Sequence, residues 1–138
     1  MQDAEMLLVQ MFHERMGIKP PNVPQLMRGD VADFRQRFML EELNEFSQAC
    51  AEGDLVAAFD ALLDLVYVAK GTALLMGLGP FEWRQGMLMV QQANMAKERV
   101  HSAEQSKRGH SLDVRKPAGW VGPETALRQI LREAGGDC

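Results

Sequence analysis

Five carboxylates carry the chemistry that this chain could do: Glu41, Glu42, Glu45, Asp60 and Asp64. At about 100° per residue along a helix, Glu41, Glu42 and Glu45 share an arc with Val31, Phe34, Phe38 and Ala49, while Asp33, Arg37, Asn44, Ser47 and Gln48 take the opposite side. The acids are therefore expected to point inward, where an ordinary helix places apolar residues. An ionised carboxylate buried without a partner is costly, and clustering like charges adds to the cost, so such a group calls for cations. Hard divalent ions take oxygen ligands, keep several waters and bridge carboxylates to phosphate oxygens. An all-acid set without His or Cys points to Mg²⁺ or Mn²⁺ and away from zinc. The chemistry on offer is metal-assisted hydrolysis.

To work together, these acids need two adjacent helices. The pattern predicts one from about Val31 to Glu52, capped by Asp30 and closed at Gly53, and a second capped by Asp54 and reaching Met76 before Gly77. So short a connection forces the pair antiparallel and brings the Glu41 to Glu45 stretch opposite the Asp60 to Asp64 stretch. The second helix is apolar nearly all round, with Leu55, Val56, Phe59, Leu62, Leu63, Leu65, Val66, Val68, Leu74 and Leu75, and is expected to be the central core helix. Asp60 and Asp64 share a stripe of it with Tyr67 and Gly71. A glycine there costs about 1 kcal/mol relative to alanine, and its small size leaves room for a ligand or a close neighbour.

The remaining elements frame that hairpin. A helix is expected over about Gln2 to Met16, then a loop from Gly17 to Gly29 that holds Pro20, Pro21 and Pro24. A fourth helix starts at Pro80 and runs to about Val100, with Asn94 and Lys97 one turn apart. From His101 to Gly122 the chain turns polar and basic and reads as a loop, before a closing helix over Pro123 to Ala134. No strand is expected. The fold class is all-α: one domain over residues 1–138, a bundle of about five helices, completed by dimerisation because so apolar a helix pair is hard to cover with short extra helices.

Composition narrows the class of function. A chain of 138 residues with a 46% hydrophobic and 25% charged composition suits a soluble globular protein, and no run approaches the roughly 20 apolar residues of a membrane span. The acidic N-terminus does not resemble a secretory signal, so the cytoplasm is the expected compartment. The net charge of −4 argues against a nucleic-acid polymer as partner. Cys50 and Cys138 lack neighbours at metal or redox spacing and are expected to be plain thiols.

The arrangement Glu41-Glu42-x-x-Glu45 followed by Asp60-x-x-x-Asp64 resembles the metal site of the all-α NTP pyrophosphohydrolases. This is the MazG-like superfamily, which also includes phosphoribosyl-ATP pyrophosphatases and dimeric dUTPases. The stretches Asp60 to Gly71 and Ala93-Asn-Met-Ala-Lys97, and the closing Lys116-Pro-Ala-Gly-Trp120 with Pro123, are similar to later motifs of short phage and bacterial members. The resemblance implies cleavage of a nucleoside triphosphate to monophosphate and pyrophosphate, with Mg²⁺ or Mn²⁺, by a homodimer or homotetramer. Glu42, Glu45 and Asp64 are expected to hold metal, with Glu41 a further ligand or the group that activates water; Asn94 and Lys97 are expected to contact the phosphates. Short phage relatives suggest dGTP or GTP as substrate, with dUTP and phosphoribosyl-ATP as alternatives. One position departs from the pattern. The family's Glu-x-x-Asp places Ala61 where a glutamate is expected, and Asp60, on the preceding residue, is the candidate metal ligand to substitute for it, from a direction about 100° away.

Plainer readings stand beside these. His13 is expected to be a satisfied or exposed histidine outside the site. The basic residues from Lys107 to Lys116 suit a solvated loop and a lid equally, and Phe34, Trp83 and Trp120 suit core packing as well as base stacking. The ten methionines are expected to fill gaps between helices. A di-iron bundle would want Glu-x-x-His repeats, which are absent. A non-enzymatic helical adaptor would use the acids to pair with a partner's arginines and would have no use for a divalent ion.

Overall fold

Gly53, at φ 71°, ends one long helix in the left-handed region, and Asp54 starts the next by accepting the Ala57 amide at 2.9 Å. The resulting hairpin of α2 (Gly29–Glu52) and α3 (Leu55–Leu75) is the largest packing unit of the protein. The computed structural model describes all residues 1–138 and is all-α, with α1 (Ala4–Arg15), α4 (Pro80–Met95) and α5 (Glu124–Glu133) completing five helices. Asp30 is not the cap of α2: the helix begins a residue earlier, after Arg28, with no side-chain cap, and Asp30 pairs with Arg28 instead.

The seam of the hairpin follows a seven-residue repeat. Arg35, Glu42 and Ala49 are the buried residues of α2, and Ala61 and Val68 lie seven apart on α3. The inward arc is therefore centred on Arg35, Glu42 and Ala49. Phe34, Glu41 and Glu45, expected to point inward, stand on its flanks and are exposed.

The α3 helix is a core helix over its second half only. Residues from Val68 to Leu74 are buried or nearly so, whereas Leu55 is 82% and Phe59 61% exposed and Leu62, Leu63, Val66 and Tyr67 are also open. The expectation of a wholly central helix fails here for a physical reason: besides its hairpin partner α2, the helix that packs on α3 is α1, and it covers the far half. Met6 and Val9 of α1 pack on Ala73 and Leu74, with Leu78 and Trp83 against them. The buried Lys70 fixes α1 by pairing with Asp3 at 3.1 Å and Glu5 at 2.5 Å.

After Gly77, at φ 79°, α4 turns 116° away from α3 and packs on α1 and α5. It ends at Met95, not near Val100, because the chain then pairs: β1 (Glu98–Arg99) runs antiparallel to β2 (Val114–Arg115), with Glu98 opposite Arg115 and Arg99 opposite Val114. The basic segment is therefore a short ribbon, where no strand was expected. Val100 is fully buried, its amide bonded to the Asp113 carbonyl, and the Asp113 carboxylate accepts from Ser106 Oγ at 2.7 Å, from Arg108 and from the Val114 amide. No single helix is long and apolar enough to cross a membrane.

Candidate active site

Antiparallel packing with a common repeat puts the two acid groups at one height. Arg35 reaches Val68 and Thr72 across the seam, and two turns further toward Gly53 Glu42 comes opposite Asp64. Glu42 is 8% exposed, and its Oε2 is buried with no hydrogen-bond partner. Burial first, then the charges of Glu45, Asp64 and Glu41, push its carboxyl from the ordinary range up to about 7. Burial, with Asp60 and Glu45 beside it, also raises Asp64. A buried carboxylate oxygen that faces other carboxylates and no donor is under strain that a proton or a cation relieves.

The structure thus brings Glu42, Glu45 and Asp64 into one another's fields, with Glu41 beside Glu42 and Asp60 beside Asp64. Their side chains do not form a closed cage: no three acidic, histidine or cysteine groups stand at metal-ligating separation. Glu41, Glu45 and Asp60 remain exposed, and Asp64 is half-buried. Ala61 occupies the buried position at which a glutamate would face α2, and Asp60 points out to solvent, so it does not take that place. The donor set suits a hard divalent cation, because it offers only carboxylate oxygens, in excess, with one of them buried and unpaired.

Asn94 and Lys97 are not part of this cluster within one chain. They stand at and just past the far end of α4, which packs on α1 and α5, and no cation is among the charges that act on Glu42 or Asp64. Lys97 instead lies over the Trp120 ring, 5.3 Å from its centre.

The seam holds a second group of polar side chains that the sequence reading passed over. Arg35, 7% exposed, donates from Nε to Thr72 Oγ1 at 3.0 Å and from Nη2 to the Val68 carbonyl at 2.9 Å, and its guanidinium lies 5.8 and 5.4 Å from the centres of the neighbouring Phe34 and Phe38 rings. A Cβ on Gly71 would come within 2.7 Å of that guanidinium and 2.9 Å of His13 Nε2. The glycine is there for close neighbours. His13 is not exposed: it is buried, and burial followed by the charge of Arg35 lowers its pKa. The signal that could have found Arg35 is its place seven residues before Glu42.

An all-α hairpin with clustered carboxylates on its seam is the arrangement that the resemblance to the all-α NTP pyrophosphohydrolases implies. Residues 8–94, more than half of the chain, match the phosphoribosyl-ATP pyrophosphohydrolase family. The chain belongs to that family, and through it to the all-α MazG-like NTP pyrophosphohydrolase superfamily, and it is a nucleotide pyrophosphohydrolase. No curated protein matches it.

Proposed function

We propose that the protein, as one domain over residues 1–138, cleaves a purine nucleoside triphosphate, dGTP or GTP first, to the monophosphate and pyrophosphate, with Mg²⁺ or Mn²⁺ held by Glu42, Glu45 and Asp64. The observation that carries this reading is the buried, unpartnered Glu42 Oε2 among like charges. A bound divalent ion supplies charge neutralisation and a Lewis acid toward phosphate oxygens.

The chain's own residues do the rest. Glu41, exposed at the edge of the cluster, orients the attacking water and takes its proton at a carboxylate oxygen. The water oxygen bonds to the α-phosphorus as the bond to the bridging oxygen breaks, and pyrophosphate leaves. Asp60 adds negative charge at the outer edge without replacing the missing glutamate. Asn94 donates to the phosphates and Lys97 balances their charge.

The open half of the hairpin supports a homodimer or homotetramer. Leu40 and Leu43 of α2 and Leu55, Phe59, Leu62 and Leu63 of α3 make an apolar face of a kind that a second copy buries. The same assembly is what could bring Asn94 and Lys97 of one copy to the acids of another. Phosphoribosyl-ATP is the second reading for the substrate, favoured by the description of the matching family.

The test is product analysis with a panel of NTPs, dNTPs and phosphoribosyl-ATP, each with Mg²⁺, Mn²⁺ or chelator. Monophosphate and pyrophosphate formed only with metal, fastest from dGTP or GTP, is the expected result. A faster rate with phosphoribosyl-ATP moves the assignment to that substrate. No turnover together with no metal-induced rise in Tm sinks the proposal and leaves the adaptor reading.

A further inference from the structure

We propose that Lys97, Lys116 and Trp120 form a clamp for a phosphate chain, which adds Lys116 and Trp120 to the binding residues. The clamp rests on the pyrophosphohydrolase reading only for the identity of the molecule that carries the chain.

The ribbon itself builds it. Glu98 pairs with Arg115 and Arg99 with Val114, so the antiparallel register places Lys97 opposite Lys116 at the mouth of the ladder. Like charges facing each other across a ladder destabilise it, and here both ammonium groups converge on one indole, at 5.3 and 4.7 Å from the centre of the Trp120 ring. Cation–π attraction to the ring offsets part of that repulsion. The next pair of the ribbon is neutralised, with Arg115 at 3.5 Å from Glu98, whereas the protein's ion pairs include neither lysine.

The indole beside the two charges is also fixed. Trp120 Nε1 donates to the Ala93 carbonyl at 2.7 Å, and the Trp120 amide donates to the Pro117 carbonyl at 3.1 Å, a turn that needs Gly119 at φ 77°. That turn folds Lys116 back over the ring. Beside it opens a cavity of about 480 Å³ walled by small residues such as Ala93, Ala96, Ala118 and Gly119, with no acidic or basic side chain in its lining. Two point charges on a rigid platform, at the edge of a space without acids, suit a chain of phosphates, which lysine binds as a compact cation. Nucleic acid is a poorer match, since the lysines meet at one ring and do not follow a groove.

The probe is inorganic tripolyphosphate, titrated by calorimetry into the full chain in the presence of chelator, so that the carboxylate cluster takes no part. Saturable binding is expected, weakened about tenfold in Lys116→Met, retained in Lys116→Arg, and lost further in Lys97→Met. Lys116 is exposed, so its Tm should not move. With nucleotide and metal, Lys116→Met should raise KM and leave kcat close to that of the parent. Parental affinity for tripolyphosphate in Lys116→Met, or the same competition from sulfate at equal ionic strength, overturns the clamp. The two readings fail separately. A parent chain that binds tripolyphosphate through Lys116 but hydrolyses no nucleotide keeps the clamp and loses the enzyme reading. A parent that hydrolyses nucleotide while Lys116→Met keeps its KM does the reverse.

Discussion

Toward Met76, the α2–α3 hairpin buries Arg35 with two of its donors on Thr72 and Val68, the neighbouring rings of Phe34 and Phe38 against it and His13 packed across Gly71. Toward Gly53, the same stripe of the same helix buries Glu42 with an oxygen that faces no donor, flanked by exposed leucines. One repeat of seven residues makes both ends. At the closed end the chain supplies the partners of its buried charge, and at the open end it supplies only more acid and more apolar surface. The difference separates what the chain satisfies alone from what, on the proposed function, it leaves to an ion, a substrate and a second copy.

The largest effect should come from the open end. Glu45→Gln is expected to lower metal-dependent turnover about 100-fold or more without lowering the metal-free Tm, because Glu45 is exposed and its charge only adds to the load on Glu42 and Asp64. Steady-state kinetics beside a thermal melt checks both halves of that statement, and a Glu45→Gln enzyme with parental kcat would take Glu45 out of the site.

Core truncation should then divide the hairpin. Leu74→Ala, at the closed end, is expected to cost ~2–5 kcal/mol, whereas Leu63→Ala, half-exposed on one chain, should cost under ~1 kcal/mol in dilute protein and shift the oligomer toward monomer. Light scattering and urea melts at several concentrations read the two together. Equal costs in a chain that is monomeric throughout would show the open face to be already packed.

Gly71→Ala probes the closed end more gently. The added methyl meets Arg35 and His13 at under 3 Å, an overpacking cost of ~1–3 kcal/mol that outweighs the ~1 kcal/mol of helix propensity gained. A rise in Tm would mean that Arg35 and His13 are not lodged against that glycine.

These contrasts also mark how far the sequence could be read. The hairpin was legible because Gly53 and Asp54 are strong local signals, and the opposition of Glu42 to Asp64 followed from so short a turn. Helical periodicity gave the arc of α2 to within one residue, and that one residue decided that Glu42 is buried while Glu41 is exposed. The pairing of β1 with β2 was not legible: each strand has two residues, too few for alternation to register, and the ladder depends on Val100 and Asp113 from outside it. The exposed half of α3 was misread for another reason, since apolarity says that a helix face will be covered and does not say by what.

The finest contrast is in pH. The raised pKa of Glu42 means that in the metal-free chain the folded state keeps a proton that the unfolded chain gives up, so stability is fully present below pH ~4.5 and declines as pH rises to about 7. The lowered pKa of His13 acts in the opposite sense: the unfolded chain takes up a proton that the folded state resists, so stability is present above pH ~6.5 and is lost as pH falls. The two ends of one seam therefore pull the stability curve from opposite sides. Urea melts in chelator at pH 4, 5.5 and 7.5 separate them by difference. Glu42→Gln should exceed the parent by ~1–3 kcal/mol at pH 7.5 and match it near pH 4, while His13→Phe should show its relative gain only on the acid side. Saturating Mg²⁺ should erase the Glu42 difference and leave the His13 difference untouched, because a cation at the open end replaces the proton there and has no contact with the closed end. If Mg²⁺ changed both by the same amount, the two ends would be one electrostatic unit and the division drawn between them would fail.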